Sequence, residues 1–384
     1  MKQSIRLMII GLLLVVFLVV SAGCGGKKPE SIKLASVSPK TGPWATYGHD
    51  QRKGMEVAIE VINEAGGISQ GPFKGVKFEI EVFDDRGDPK ESANIAQKLV
   101  ADESIFAMVG PTNSSCALAD APILEKGGVT MVTDLATTPE LTNQGYERVF
   151  RTYFTGITEG KAMAMVALET LGLKRMYVFY ENTDYGAGIQ GALVPAMEDG
   201  AGEVLGVDAY TPGQDTDFSP LITKARNAGA EVIGICGSYN ESGLIIRQVR
   251  TAGWDVPIVI CTGNNHPNTI ELAGAENLYN AYFTSPPVIG DSTDPNVVAF
   301  REKFEEKFGE KPGDYTAYAY DAVMVIKEAI ELGCQSRDEL HTYLRKIENY
   351  QGLTGPITFD EGGDVMQPGI VLLAFENGEY VLYE

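Results

Sequence analysis

The chain contains 384 residues and carries a formal charge of -21, because 52 Asp and Glu residues outnumber 31 Lys and Arg residues. This length is enough for two domains that each bury a core, and it excludes a small scaffold held together by disulfides. The acidic charge argues against nucleic-acid binding, since phosphate groups would be repelled. The histidines follow no spacing that is typical of a metal site, so the sequence predicts no metal ion and no other cofactor.

Residues 1–23 carry the pattern of an export signal. Lys2 and Arg6 precede an apolar run from Leu7 to Val20 that contains no charged residue. This run is about 14 residues long, which suits the core of a signal peptide and is shorter than the ~20 residues of a membrane-spanning helix. We therefore expect the rest of the chain to lie outside the cytoplasm.

The residues after the apolar run predict where the signal peptide ends. Ser21-Ala22-Gly23-Cys24 resembles a bacterial lipobox, and residues 24–30 are typical of a flexible tether. We expect cleavage before Cys24 and lipidation of that residue, so that a lipid anchor holds the protein at the membrane. Ordinary signal cleavage near Ala22 and an uncleaved membrane anchor are the alternatives.

Strand-like and helix-like segments alternate behind the tether. The first pair is a β-branched run from Ile32 to Val37 and an amphipathic segment from Gly48 to Ala65. This alternation predicts an α/β fold with parallel sheets. We expect a first lobe to end near Phe150 and a second lobe of similar size to follow, with Asn377-Gly378 as the turn of a terminal hairpin.

Two loops rich in hydroxyl groups follow predicted strands of the first lobe. Residues 110–115 come after the strand 106–109, and residues 134–138 come after the strand 130–133. The carboxyl ends of parallel strands are where open α/β sheets bind ligands, and hydroxyl and amide groups at a helix N-terminus suit a carboxylate. A helix N-cap formed by Ser114 or Ser115 is the alternative for the first loop.

One segment resembles a nucleotide-binding motif, but we interpret its glycines as structural. Residues 186–191 have the form GxGxxG, but five residues separate Tyr180, the end of the preceding strand, from the first glycine. A dinucleotide-binding fingerprint needs that glycine in the turn itself. The chain also contains no GxSxG and no histidine in a motif with a nucleophile. The sequence therefore predicts a protein that is not an enzyme.

Two cysteines close consecutive strand-like runs. Cys236 and Cys261 both follow apolar residues, and no CxxC pair occurs in the chain. We interpret both as small buried thiols, with a disulfide between them as the alternative if the strands are neighbours.

A series of short motifs runs through the chain from residue 41 onward. The motifs are Thr41-Gly42-Pro43-Trp44-Ala45-Thr46-Tyr47-Gly48, Asn63-Glu64-Ala65-Gly66-Gly67-Ile68, Asp84 to Pro89, Thr137-Thr138-Pro139-Glu140-Leu141-Thr142, Asp184-Tyr185-Gly186 and Ile245-Ile246-Arg247-Gln248. In this order they resemble the extracytoplasmic branched-chain amino-acid-binding proteins of ABC transporters. The resemblance implies a type I periplasmic-binding fold, in which two doubly wound α/β lobes joined by three crossover strands close on a small ligand.

The resemblance also implies lobe boundaries and a partner. The N-terminal lobe would contain residues 31–151 and 285–350, and the C-terminal lobe residues 152–284 and 351–384. The crossovers would lie near residues 151–155, 281–285 and 350–355. The closed protein would deliver its ligand to the transmembrane subunits of an ABC permease.

The site residues that the resemblance implies lie on both lobes. Ser114 and Thr137 match positions that hold the ligand carboxylate, and Leu135 matches the position whose carbonyl group meets the ammonium group. Tyr47 and Tyr185 match aromatic residues that face the ligand from opposite lobes. The full predicted set is Tyr47, Ser114, Leu135, Thr137, Tyr185, Tyr239 and Thr262, and Trp44 is a candidate for shaping the side-chain pocket.

One stretch departs from the family pattern. The family has an acidic residue after the strand that ends near Ile260, where it neutralises the α-ammonium group; here Thr262, or Asn264 with a small gap, takes its place. A buried ammonium group without a carboxylate is costly, so Glu241 or Asp184 would have to substitute. A branched-chain or related amino acid is the predicted ligand. The alternatives are an amine-free carboxylate, an amide or a urea-like compound, bound for import or by a sensor module.

Overall fold

The computed structural model describes residues 28–287, 289–290, 292–366 and 368–383. The predicted signal peptide, residues 1–23, and the predicted lipidation site, Cys24, lie outside the described residues. Within the described ranges, no helix is long and apolar enough to cross a membrane.

Strands and helices alternate along the chain, as the sequence predicts. The strands are β1 Ser31–Ser38, β2 Lys77–Asp84, β3 Ile105–Val109, β4 Thr130–Thr133, β5 Val149–Arg151, β6 Arg175–Glu181, β7 Glu203–Tyr210, β8 Val232–Cys236, β9 Ile258–Ile260, β10 Ala281–Ser285, β11 Tyr350–Gly352, β12 Gly355–Ile357, β13 Val371–Glu376 and β14 Glu379–Leu382. The helices are α1 Ala45–Glu64, α2 Pro89–Ala101, α3 Ser114–Gly127, α4 Gly156–Met165, α5 Asp184–Asp199, α6 Ser219–Asn227, α7 Tyr239–Thr251, α8 Pro267–Ala273, α9 Pro295–Phe308, α10 Asp314–Glu331 and α11 Leu340–Leu344.

In the described part of the chain, strands β1 to β5 form a five-stranded sheet in the order β2-β1-β3-β4-β5, and all its neighbours are parallel. Helices cover both faces: Ile95 and Ala117 of α2 and α3 pack on one, and Met55 and Ala322 of α1 and α10 pack on the other. Gly54 permits the close approach of α1 to α10, because an added Cβ atom would lie 2.1 Å from the carbonyl oxygen of Thr316. We call this sheet with its helices the first lobe.

The second sheet of the described residues has seven strands in the order β14-β13-β10-β9-β8-β6-β7. Its five strands from β10 to β7 are parallel, whereas β13 and β14 form an antiparallel hairpin whose turn is Asn377-Gly378, as expected. Ile189 of α5 packs on one face, and Ile245 of α7 packs on the other. We call this sheet with helices α4 to α8 the second lobe. The predicted α/β fold is confirmed.

The predicted interpretation of the two cysteines agrees with the structure. Cys236 ends β8, Cys261 follows β9, and these two strands are neighbours in the second sheet. Both side chains are buried and free. Burial raises the pKa of both thiols well above the ordinary value, which keeps them protonated and unreactive.

Candidate functional site

A cavity of about 230 Å³ lies where the carboxyl ends of the two sheets face each other. Loops after β2, β3 and β4 form its wall on the first lobe, and loops after β6, β8 and β9 form its wall on the second lobe. Open α/β sheets bind ligands at such strand ends. The predicted site residues in the wall are Tyr47, Ser114, Leu135, Thr137, Tyr185 and Thr262, and Trp44 lies there too.

The first lobe presents hydroxyl and amide groups to the cavity. Ser114 Oγ accepts hydrogen bonds from the amide groups of Thr137 and Thr138, at 3.2 and 3.3 Å, which leaves its own O–H free to donate. The buried hydroxyl oxygen of Thr137 has no hydrogen-bond partner within the described structure. A buried hydroxyl group without a partner is costly, so this side of the cavity is suited to a ligand with acceptor oxygens.

The N-terminus of α3 is open to the cavity. Its N-cap residue, Asn113, makes no side-chain cap, and Ser114 and Ser115 lie inside the first turn of the helix. The alternative that a serine caps this helix is therefore wrong. Ser115 instead reaches the second lobe, where its hydroxyl group donates to the carboxylate of Asp184. The free amide groups and the helix dipole favour a negatively charged ligand group here.

A buried arginine fixes the loop that carries Thr137. Arg151 has no exposed surface, and its guanidinium group donates to the carbonyl oxygens of Ala136 and Thr138 at 2.8 and 3.0 Å. The carboxylate of Asp364, 2.7 Å away, neutralises its charge. Thr137 is thus held between two anchored peptide groups.

The second lobe has two buried carboxylates, one in the cavity wall and one behind it, that the sequence analysis did not identify. Glu181, at the end of β6, lines the cavity and accepts hydrogen bonds from the Thr183 hydroxyl at 2.7 Å and from the amide and hydroxyl groups of Ser238, both at 2.8 Å. Glu159, on α4, is fully buried; one of its carboxylate oxygens accepts the amide hydrogen of Thr262, and the other has no partner among the described residues. Burial raises the pKa of both groups, that of Glu159 to about 7.

The acids that the sequence analysis named as substitutes lie elsewhere. Glu241 accepts a hydrogen bond from the amide group of Gly213 at 2.8 Å, and neither Glu241 nor Asp184 is part of the cavity wall. Glu181 ends β6, so its position at a strand end could have identified it from the sequence. Glu159 carries no such signal, since α4 brings it to Thr262 through tertiary packing alone.

Two of the three predicted tyrosines line the cavity, and the third lies beside it. Tyr47 donates to the carbonyl oxygen of Gly263, and Tyr185 donates to that of Thr262, both at 2.8 Å. Tyr239 does not line the cavity. Its ring lies 5.2 Å from that of Tyr47, and its hydroxyl group donates to the carbonyl oxygen of Pro43 at 3.1 Å. Tyr239 therefore connects the two lobes next to the cavity.

The GxGxxG segment serves helix packing. Gly186 and Gly188 lie in the first turns of α5, which Thr183 caps. An added Cβ atom at Gly186 would lie 2.3 Å from the carbonyl oxygen of Glu181. This contact explains the first glycine without a nucleotide. No group of three His, Cys, Asp or Glu residues in the described ranges is arranged to hold a metal ion.

Comparisons with known proteins agree with this architecture. Residues 31–378 match the model of a family described as periplasmic binding protein. A Leu/Ile/Val-binding protein homolog from Brucella melitensis is 34% identical over 354 residues, which cover 91% of this chain and 93% of that protein. A leucine-, isoleucine-, valine-, threonine- and alanine-binding protein from Pseudomonas aeruginosa is 32% identical and covers 92% of this chain and 90% of its own length.

A solved structure shows the same fold with a ligand. It is the substrate-binding protein of a branched-chain amino acid transporter from Streptococcus pneumoniae, in complex with isoleucine. It superposes with a TM-score of 0.82 at 29% sequence identity, and the match covers 92% of this chain and 100% of that one. The chain belongs to the periplasmic binding protein family, and its predicted resemblance to the branched-chain amino-acid-binding proteins of ABC transporters is confirmed.

Proposed function

We propose that this protein is the substrate-binding component of an ABC importer, and that it binds a branched-chain or related amino acid between its lobes. The observation that carries the proposal is the wall of the first lobe, where the unpartnered hydroxyl group of Thr137, the hydroxyl group of Ser114 and the open end of α3 all face one cavity. These groups suit a carboxylate. The names of the relatives from Brucella and Pseudomonas, and the isoleucine in the streptococcal protein, support an amino acid as its bearer.

The cavity size and lining agree with such a ligand. About 230 Å³ is less than the roughly 300–1,000 Å³ typical of sites for drug-sized molecules. Trp44, Leu135 and Tyr185 supply apolar surface for an aliphatic side chain. No reaction is proposed, because binding and release are enough for delivery to a permease.

We also propose where the chain crosses between the two lobes. Arg151 of β5 and Ser285 of β10 end the segments that precede the first two crossings, in line with the expected positions. Ile357 and Phe359, however, pack in the core of the first lobe, and Asp364 pairs with Arg151. We therefore place the third crossing between Val365 and Val371, later along the chain than residues 350–355.

The export signal and the lipobox-like Cys24 support an extracytoplasmic protein with a lipid anchor. The family supports the same side of the membrane. A ligand that contacts both lobes has a higher affinity for the closed arrangement, so binding would shift the population toward it. The closed form would then dock on the permease.

A thermal-shift experiment tests this function directly. Purified protein, stripped of ligand by unfolding and refolding, is mixed with leucine, isoleucine or valine, and with 4-methylpentanoate, isobutyramide or urea. A ligand at 100 times its dissociation constant adds about 2.7 kcal/mol to the free energy of unfolding. We expect the amino acids to raise the melting temperature. Stabilisation by the amine-free compounds alone would show that the ligand assignment is wrong.

A further inference from the structure

The proposed amino acid ligand carries an ammonium group as well as a carboxylate, and the cavity must neutralise both. The first-lobe wall provides hydroxyl and amide donors, which suit the carboxylate, and none of its lining residues is acidic. A buried ammonium group needs a carboxylate partner, because removing it from water without one is costly. The acid that lines the cavity, Glu181, lies on the second lobe, and so does Glu159, which binds the Thr262 amide group.

Of the two buried carboxylates on that lobe, Glu181 is already satisfied. Three donors from Thr183 and Ser238 hold both of its oxygens. These contacts join the end of β6 to the beginning of α7, so they give Glu181 a structural role. A carboxylate bound in this way is a poor first choice for a ligand cation.

Glu159 has one carboxylate oxygen without a hydrogen-bond partner in the described structure. Its side chain is completely buried in the first turn of α4, and the oxygen that does not bind the Thr262 amide group has no hydrogen-bond partner in the described part of the chain. The beginning of α4 is fixed beside the carboxylate-binding wall, because the amide group of Gly156 donates to the carbonyl oxygen of Thr137 at 2.7 Å. Glu159 is not itself part of the cavity wall; it lies directly behind Thr262, which is.

Two tyrosines of the cavity wall lie close enough to Glu159 for its charge to affect their pKa values. Burial, and then neighbouring charges that include Glu159, raise the pKa of Tyr153 and Tyr185, two further residues of the cavity wall. Glu159 therefore lies close to the part of the wall that Tyr153 and Tyr185 form.

We propose that Glu159 supplies the negative charge that binds the ammonium group of the ligand, with the Thr262 amide group holding the carboxylate in place. The specificity for an amine-bearing ligand then resides on α4 and not on the loop after β9. This inference rests on the proposed function. Glu159 would be the residue through which the protein distinguishes leucine from 4-methylpentanoate, which lacks the amine.

Calorimetric titration of leucine and of 4-methylpentanoate, which has the same carbon skeleton without the amine, tests the assignment. We expect wild-type protein to prefer leucine. Glu159→Gln should weaken leucine binding by about 10- to 100-fold, as for a lost hydrogen bond to a charged group, and leave 4-methylpentanoate binding within about threefold. Glu169→Gln, which removes an exposed carboxylate just after α4, is the matched control and should change neither affinity.

The outcomes separate this inference from the proposed function. If wild-type protein prefers leucine and Glu159→Gln keeps that preference, Glu159 is not the ammonium partner, although the function stands; a preference lost in Glu181→Gln instead would assign the role to Glu181. If wild-type protein binds no amino acid, both proposals fail. Should Glu159→Gln not fold, Glu159→Asp retains the charge and should weaken leucine binding alone; equal weakening of both ligands would overturn the proposal.

Discussion

At the scale of single residues, a buried guanidinium group fixes part of the first-lobe wall of the cavity. Arg151 ends β5 and holds the two peptide carbonyl groups on either side of Thr137. It also binds the Thr142 hydroxyl at 2.8 Å and pairs with Asp364. Because these contacts fix the loop from both sides, the direction of the Thr137 hydroxyl group depends on a residue that does not line the cavity.

We expect Arg151→Lys to weaken ligand binding and stability together. Lysine keeps the charge for Asp364 but has no planar fork to reach both carbonyl groups at once. The loss of two buried hydrogen bonds predicts about 2 to 4 kcal/mol less stability in urea denaturation and about tenfold weaker leucine binding in calorimetry.

The control for this prediction is Arg175→Lys. Arg175 forms a largely exposed ion pair with Glu203, for which a change of less than about 1 kcal/mol is expected. Unchanged leucine affinity in Arg151→Lys would show that the Thr137 loop is rigid without the arginine.

Residue-level prediction from the sequence works best where chemistry follows strand ends. Ser114, Leu135 and Thr137 follow strands β3 and β4, which are neighbours, so the sequence alone indicates one wall. The buried acid behind the second-lobe wall is harder to predict. Glu159 lies on a helix with no motif around it, and its contact with Thr262 spans 103 residues of sequence.

At the scale of secondary-structure elements, helices α2 and α3 meet through a buried polar contact. The hydroxyl group of Ser92 donates to Asp120 at 2.6 Å, and both side chains are inaccessible to solvent. Burial raises the pKa of Asp120 to about 8; the hydrogen bond from Ser92 opposes this shift, and the nearby Asp85 adds to it. The two helices therefore pack around a carboxyl group that is protonated at neutral pH.

This pKa predicts a loss of stability with rising pH. An aspartate in the unfolded chain titrates near 3.9, so between about pH 4 and pH 8 the unfolded state binds fewer protons than the folded state. Stability is then lost as pH rises through this window, by up to about 1.4 kcal/mol per pH unit. Asp120→Asn cannot ionise and still accepts the hydrogen bond from Ser92, so its stability should fall less steeply.

Urea denaturation of both proteins at pH 5, 6.5 and 8 measures the difference. Other buried acids, such as Asp134 with a pKa of about 6, contribute equally to wild-type protein and variant. The difference between the two curves reports the titration of Asp120 together with its coupling to Asp85. Parallel curves would mean that Asp120 is ionised in the folded protein.

Element boundaries show where local patterns stop being sufficient. Gly48 suggested a helix start, yet α1 begins at Ala45. The glycine is required by a contact, since an added Cβ atom would lie 2.0 Å from the carbonyl oxygen of Pro39. The strand order, with β1 between β2 and β3, is likewise set by packing between distant segments and has no local signal.

At the scale of the whole molecule, the two lobes are joined by hydrogen bonds around the cavity. Tyr47 of α1 reaches the carbonyl oxygen of Gly263, and Asn240 of α7 donates to that of Pro43 at 3.0 Å. Tyr239 binds the same Pro43 oxygen and the Thr46 hydroxyl. These contacts span the gap between lobes, so the described arrangement is a closed one, and their free energy adds to that of ligand binding.

Tyr239→Phe tests this coupling because it removes a contact between the lobes without changing the cavity wall. Its ring can still stack on His266, whose centroid is 5.0 Å away. Loss of about 1 kcal/mol from the closed state predicts roughly fivefold weaker leucine binding, mainly through faster dissociation in stopped-flow measurements. In X-ray scattering, leucine should reduce the radius of gyration of wild-type protein. Tyr282→Phe is the control, because the Tyr282 hydroxyl group binds Asn280 within the second lobe, and it should leave the dissociation rate unchanged. An unchanged rate in Tyr239→Phe as well would show that this contact between the lobes does not contribute to affinity.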